Sequence, residues 1–317
     1  MAIFFTTANT IFLSILLQAV PFMLLGSMIS SILHIFVSDQ FVVKIFPNKN
    51  GLGFLTALFG GLVFPVCECA SVPVITGLMK KGVSMPVAVT FMLAAPILNP
   101  ISIMATLYAF PDNPSIAFYR VLFGLITAAG IGVLLVFYPA SKYLKETKPS
   151  FEGGKDGADT FEAITEGAES YLSFPEKLEE LFLHTGTEFF TAGRYLVLGA
   201  LVTALIRTGV PGPFFTSFTE GRSLGGILIM MLFAFLFSAC STSDAFIARS
   251  FYGNFSLFSI MGFLVFGPMM DIKNLFMLLS LFKKRFVIEL TLIITAINFI
   301  GISVLVRTFL CITQHTG

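Results

Sequence analysis

The stretch Phe64-Pro-Val-Cys-Glu-Cys-Ala-Ser71 interrupts a long apolar segment with a proline, two thiols and a carboxylate. A related stretch, Phe237-Ser-Ala-Cys-Ser-Thr-Ser-Asp244, interrupts a second apolar segment 173 positions later. A further similarity, at an offset of 172, pairs Ala95-Pro-Ile-Leu-Asn99 with Gly267-Pro-Met-Met-Asp271. Matched polar positions inside apolar segments predict that the chain is an internal repeat of two related halves.

The composition predicts a membrane protein. Hydrophobic residues make up 56% and charged residues 12% of the 317 residues, far from the average of a soluble domain. We therefore expect an all-α polytopic membrane protein. The net charge of +1 conceals an acidic segment at 141–184, so the remaining sequence is basic, as short membrane loops are, and no nucleic-acid partner is expected.

Six stretches are mostly apolar and long enough to cross the ~30 Å hydrocarbon core of a bilayer. They are 10–37, 83–110, 115–139, 187–208, 256–282 and 286–309. Two further stretches, 52–79 and 224–249, are apolar but broken by the related motifs. The chain is thereby divided into a first membrane repeat at 1–140, an acidic linker at 141–184 and a second membrane repeat at 185–317.

Each broken stretch is either a discontinuous span or a re-entrant hairpin of two half-helices, because non-helical backbone at membrane depth must be buried or line a cavity. Two hairpins give six spans and place twelve of the counted Lys and Arg residues inside and four outside. Eight spans give nine inside and seven outside, so the positive-inside rule favours hairpins. Each half then crosses three times, which predicts an inverted-topology repeat. Eight spans in a parallel repeat are the alternative.

The linker at 141–184 is expected on the cytoplasmic side of the cytoplasmic membrane. It contains a flexible stretch rich in glycine and charge, followed by a helix that starts at Pro175. Leu178, Leu181 and Phe182 fall on one face of that helix, which predicts a short amphipathic helix at the membrane interface.

The cysteines are the first candidates for chemistry. Thiolates are soft ligands that suit Cu(I), Zn or trivalent arsenic. If the two broken stretches meet, Cys240 lies beside Cys67 and Cys69, and three thiols match the three-coordinate preference of a trivalent metalloid. The competing interpretation is that these cysteines pack as small buried hydrophobic residues.

The acidic residues Glu68, Asp244 and Asp271 are the second candidates. A carboxylate at membrane depth is costly, and it usually faces a cavity, forms an ion pair or relays protons. We expect Glu68 and Asp244 to tune the site or couple proton movement. Structural alternatives remain, since Asp244 could cap a half-helix and Asp271 could pair with Lys273 or Asn274.

Proline pairs mark the third candidate site. Pro96 and Pro100 flank Asn99, and Pro268 precedes Asp271 in the second half. Because each proline frees a backbone carbonyl, these residues predict an oxygen-lined niche for an ion or polar substrate. No Gly-x-x-x-x-Gly-Lys-[Ser/Thr] loop occurs, so the chain has no P-loop for ATP hydrolysis, and no cofactor is predicted.

These motifs together resemble those of a bacterial predicted-permease family that includes the ArsP-type organoarsenical efflux permeases. The resemblance rests on Cys67-x-Cys69-x-x-x-Pro73 and Ala95-Pro-x-x-Asn-Pro100, and it extends over nearly the whole chain. It implies a thiol-based export function for Cys67, Cys69 and Cys240. Glu68 and Ala70 depart from the expected Cys-Ser-Cys-Gly form, and a carboxylate between the thiols admits a metal cation or a proton-coupled cycle.

The sequence thus predicts a secondary permease, not an enzyme, that exports a thiophilic metalloid such as a trivalent organoarsenical by alternating access. One alternative is a permease for another small inorganic ion or metal, with structural cysteines. The other is a membrane thiol–disulfide oxidoreductase, which the one-residue spacing of Cys67 and Cys69 disfavours because such a disulfide is strained.

Overall fold

The computed structural model of the protein describes residues 2–47, 51–63, 66–137, 174–209, 224–253 and 255–315. These residues form thirteen helices. They are α1 (Ala2–Phe36), α2 (Asp39–Ile45), α3 (Leu52–Val63), α4 (Glu68–Lys80), α5 (Met85–Leu98), α6 (Pro100–Ala109), α7 (Ser115–Leu135), α8 (Phe174–Gly209), α9 (Leu224–Phe237), α10 (Ser243–Ser250), α11 (Leu257–Met269), α12 (Ile272–Leu281) and α13 (Lys284–His315).

The six predicted spans are confirmed. Among the described residues, six segments are long and apolar enough to cross a membrane. They are Phe4–Phe36, Met85–Ala109, Ser115–Leu135, Lys177–Gly209, Leu257–Leu281 and Lys284–Val304. Each overlaps one predicted span, because about 20 apolar residues at 1.5 Å per residue match the bilayer core.

Both broken stretches form two helices. The first comprises α3 and α4, and the second comprises α9 and α10, with the break at the cysteine motif in each case. Ser238, which begins the second break, has a φ of 49°, a backbone conformation uncommon for residues other than glycine. The re-entrant path of these helix pairs stays a prediction.

Two of the spans predicted as full helices are also broken. The span at 83–110 consists of α5 and α6, which meet at Asn99, and the span at 256–282 consists of α11 and α12, which meet near Asp271. Proline explains the first break, since Pro100 has no N–H to continue α5 and suits the first turn of α6. Asn99 and Asp271 each cap the helix that follows.

The linker lies mostly outside the described residues, which resume at Phe174. The helix predicted from Pro175 is the first part of α8, which runs without interruption over 36 residues. Its position at the membrane interface stays a prediction. At 1.5 Å per residue, α8 is about 54 Å long, more than the thickness of the hydrocarbon core. Leu178 and Phe182 are exposed on it, as a membrane-facing surface requires.

The centre of the molecule is formed by α5 and α11, whose side chains are almost all buried. In the first half α5 packs against α3 and α7, and in the second half α11 packs against α9 and α13. The halves meet where α5 contacts α11, α4 contacts α12 and α6 contacts α10. The long helices α1 and α8 pack against each other, and they cover α4 and α12 respectively.

Candidate functional site

Four helices begin at one place between the two halves. They are α4, which starts after Cys67; α6, which starts after Asn99; α10, which starts after Thr242; and α12, which starts after Asp271. The N-terminus of a helix carries a partial positive charge and unpaired N–H groups. Four such ends directed at one region create a polar environment inside an otherwise apolar bundle.

Direct contacts join the two cysteine motifs. The Ser241 N–H donates to Oε2 of Glu68 at 3.3 Å. The carbonyl oxygen of Ser241 accepts from the Ser102 hydroxyl at 3.1 Å and from Nη2 of Arg120 at 2.9 Å. Ser241 therefore connects the second motif to α4, α6 and α7 of the first half.

Lys273 links the acidic residues of both halves. Its Nζ lies 3.6 Å from Oε1 of Glu68 and 3.3 Å from Oδ2 of Asp271, and all three side chains are buried. Within the described residues, those two carboxylate oxygens accept no hydrogen bond. The Lys273 ammonium is therefore the counter-charge for both carboxylates.

Asp271 satisfies both structural alternatives that the sequence left open. Its Oδ2 faces Lys273, and its Oδ1 accepts the Asn274 N–H at 2.6 Å, so it caps α12. Asp244 is not the capping residue of α10, because it lies in the first turn after Thr242. It is 1% exposed, and a Cβ at Gly267 would lie only 3.0 Å from its Oδ2. Gly267 thus provides the space for the Asp244 carboxylate.

Arg120 is the second buried cation at the site. Its Nη1 donates to the Thr106 hydroxyl at 2.7 Å, and its Nη2 donates to Ser241. Asp244 and Glu68 are the nearby carboxylates whose negative charge stabilises it. Three acids and two bases therefore occupy the region where the four helices begin.

Cys67, Cys69 and Cys240 lie beside this charged cluster, buried and with no disulfide bond. Cys67 precedes α4 in extended conformation, and it lies near Glu68 and Cys240. Cys69 lies two positions later, and residues two apart on a helix do not face each other. Within the described ranges, no group of three or more His, Cys, Asp or Glu side chains could hold a metal ion. The three-thiol ligand set stays a prediction.

The proline niche has a defined local structure. Asn99 ends α5 and caps α6, because its Oδ1 accepts the Ile101 N–H at 3.0 Å. Pro96 lies in the last turn of α5, and Pro268 occupies the matching place in α11. The capping side chains use oxygens that the sequence analysis assigned to a ligand, so Asn99 and Asp271 have a structural function at this site.

We expect Asn99→Ala to lower the free energy of unfolding by about 1 kcal/mol, the usual contribution of a capping side chain. Asn99→Asp keeps an acceptor oxygen and is the matched control. The check is thermal unfolding of the purified proteins in detergent. Equal midpoints for Asn99→Ala and the wild type would contradict the capping function.

Sequence reasoning missed Arg120 and the central position of Lys273. Arg120 was not among the predicted site residues, and Lys273 was named only as a possible partner of Asp271. The available signal was the presence of Arg120 in an otherwise apolar span, since ionisable residues at membrane depth usually face a bundle interior. Nothing comparable in the sequence indicated that Ser102, Ser238 and Ser241 lie at the site.

A protein-family model described as "Predicted permease" matches residues 4–307 of the chain. The chain belongs to this predicted-permease family. The resemblance drawn from the cysteine and proline motifs is thereby confirmed. A multi-pass membrane permease, rather than an enzyme, agrees with the six apolar segments and the buried charges between them.

Two relatives match the permease along nearly its whole length. "UPF0718 protein YcgR" of Bacillus subtilis is 38% identical over 304 residues, which cover 96% of this chain and 98% of the relative. A Streptococcus mutans protein described as "Putative two-component membrane permease complex subunit" is 36% identical over 304 residues, covering 95% and 93%. No solved structure matches the chain.

Proposed function

We propose that this protein is a secondary permease that moves its substrate by alternating access around the junction of α4, α6, α10 and α12. The observation that carries this proposal is the buried cluster of Glu68, Asp244, Asp271, Lys273 and Arg120, to which both halves contribute. Charges buried at membrane depth are costly and mark ion or substrate pathways. Broken helices whose N-termini face a site between repeats are a recurrent transporter design.

The proposal includes an inverted repeat. Matching helices have matching neighbours, since α5 with α3 and α7 corresponds to α11 with α9 and α13. The positive-inside count supports opposite orientations of the two halves. In this arrangement the site lies between the halves, and small rotations of one half against the other expose it to each side in turn.

The substrate that fits the cysteines is a trivalent organoarsenical such as methylarsenite. Two thiols of Cys67, Cys69 and Cys240 would each form an As–S bond as an As–OH bond breaks, and each thiol proton would leave with hydroxide as water. The oxidation state of arsenic does not change, and the reverse reaction releases the substrate. Soft sulfur ligands favour this class of substrate.

The remaining groups have supporting functions in this proposal. Glu68 and Asp244 relay each thiol proton to the hydroxide that leaves arsenic, and the reverse relay accompanies release of the substrate. Asn99 and Asp271 fix the starts of α6 and α12, while Pro96, Pro100 and Pro268 keep α5 and α11 from continuing through the site.

We expect cells that express the wild-type protein to accumulate less methylarsenite than empty-vector cells. Cys67→Ser/Cys240→Ser leaves one of the three thiols and should raise accumulation to the empty-vector level, because one thiol cannot form both As–S bonds and a hydroxyl is a poor ligand for trivalent arsenic. Intracellular arsenic is measured by mass spectrometry at equal expression in the membrane. Full protection by Cys67→Ser/Cys240→Ser would rule out the thiol mechanism.

A second candidate substrate is a small inorganic ion or a metal ion, with the cysteines packed structurally. The buried cluster of Glu68, Asp271 and Lys273, to which both halves contribute, favours it. This candidate predicts that thiol-blocking reagents leave transport unchanged and that Glu68→Gln abolishes it. Transport of metal ions or oxyanions into proteoliposomes, with and without the reagent, separates the two candidates.

A further inference from the structure

Lys273 occupies a position that is unfavourable for a cation. It lies in the first turn of α12, where the helix dipole disfavours positive charge, and only 3% of the residue is exposed. Burial of an ammonium group away from water costs several kcal/mol unless it is compensated. The compensation comes from Asp271 in the same half and from Glu68 in the other half.

The backbone around Lys273 is held firmly. Its N–H donates to the Ser238 hydroxyl at 3.3 Å, which attaches the start of α12 to the break between α9 and α10. Gly199 of α8 packs against its Cα, since a Cβ on that glycine would lie 2.9 Å away. The Lys273 side chain is therefore the part that can move, on a flexible four-carbon stem.

The Lys273 ammonium fills the space between two acidic groups. Oε1 of Glu68 and Oδ2 of Asp271 face it without accepting a hydrogen bond from any described residue. Without Lys273 the two carboxylates would be left as an uncompensated buried pair facing each other across the halves. The ammonium therefore supplies the positive charge that these two carboxylates would otherwise need from a bound cation.

We propose that Lys273 is a tethered counter-cation that closes the empty site and allows the unloaded permease to change orientation. This inference rests on the proposed transport function. In the empty protein Lys273 holds Glu68 of α4 against α12. A substrate bound at the thiols on either side of Glu68 separates the carboxylate from Lys273, and its departure lets the ion pair form again.

The first test measures closure of the site without any substrate. The fourth cysteine of the sequence, Cys311, is first replaced by serine. In this Cys311→Ser background, reaction of Cys67, Cys69 and Cys240 with a small methanethiosulfonate reagent reports access to the site. The site cysteines of Lys273→Met should react with the reagent at least about tenfold faster than those of the wild type. A tenfold change corresponds to a loss of roughly 1.4 kcal/mol from the free energy that favours the closed site. Lys273→Arg retains the charge and should remain within about threefold of the wild type.

Lys80→Met is the matched control. Lys80 Nζ lies 3.1 Å from Oε1 of Glu188, so this ion pair also joins α4 to the second half, but its lysine is partly exposed. Labelling of Lys80→Met should match the wild type. Unchanged labelling in Lys273→Met, or an equal increase in Lys80→Met, overturns the inference. If Lys273→Met does not fold, the Glu68→Gln/Lys273→Met double variant removes both charges of the ion pair that joins α4 to α12 and should show the same fast labelling.

The second test separates net transport from exchange. Lys273→Met should lose at least about tenfold in net methylarsenite efflux, because the empty site cannot close. Its exchange of labelled for unlabelled methylarsenite across proteoliposomes should stay within about twofold of the wild type. Equal losses of efflux and exchange assign Lys273 a structural function and overturn the inference. If the wild type moves no methylarsenite, the proposed substrate is wrong, and the labelling test alone still decides the function of Lys273.

Discussion

Arg120→Met is expected to lower the free energy of unfolding by about 3 to 5 kcal/mol, the usual cost of removing one partner from a buried charge network. Arg120 is 1% exposed, and it supports the Thr106 hydroxyl and the Ser241 carbonyl through two hydrogen bonds. Its loss removes a cation that interacts electrostatically with buried Asp244, and it leaves the Ser241 carbonyl without the Arg120 donor. Unfolding of the purified protein in mixed micelles with increasing SDS measures the effect.

Two further variants make the Arg120 result specific. Arg120→Met/Asp244→Asn removes both charges, so we expect it to recover part of the lost stability. Arg285→Gln breaks an exposed pair with Glu289 at 2.8 Å, and it should cost less than about 1 kcal/mol. If Arg120→Met is as mild as Arg285→Gln, the charged cluster does not hold the two halves together.

Gly26→Leu is expected to prevent normal packing of α1 on α4. A Cβ on Gly26 would lie 2.7 Å from the carbonyl oxygen of Ala70 and 2.8 Å from its Cα, so backbone rather than a flexible side chain must move. Overpacking of this kind costs about 1 to 3 kcal/mol, and the rest of the leucine side chain increases the overlap. Because α4 carries Glu68 and follows Cys67, methylarsenite protection should fall together with stability.

Gly301→Leu is the control for the Gly26 variant. Gly301 also lies in a membrane helix, but apart from its own stretch of helix no heavy atom of the described residues lies within 4 Å of its Cβ position. Replacing a helical glycine there should leave stability unchanged or raise it by up to about 1 kcal/mol. The measurement is the yield of monodisperse protein by size-exclusion chromatography with its unfolding midpoint. Equal yields for the two variants would contradict close α1–α4 packing.

The spans were predictable because they depend on local composition. Six apolar stretches had the length and hydrophobicity that a bilayer requires, and the structure contains a helical segment at each. The cysteine motifs were predictable as breaks, since proline and clustered small polar residues interrupt helices. The breaks at Asn99 and Asp271 were less apparent. In sequence, a helix that ends and is followed directly by a new, capped helix resembles one continuous helix with a proline kink.

The candidate site was predictable only in part. Glu68, Asp244 and Asp271 were conspicuous, since each is a carboxylate in an apolar stretch. Lys273 appeared only as a nearby partner for Asp271, because its contact with Glu68 joins residues 205 positions apart. The contacts of Ser241 with Glu68 and Arg120 span 173 and 121 positions. Sequence spacing carries no information about such contacts.

The sequence by itself determined the class of protein, the six spans, the two broken motifs and the family, because hydrophobicity, helix breaking and motif spacing are local properties. Only the tertiary structure decided that four helix starts converge, that Asp271 caps α12 and that Lys273 neutralises acids from both halves. The physical reason is that a buried charge is stable only beside its counter-charges. Those counter-charges are brought together by the packing of α4, α7, α10 and α12, not by their order along the chain.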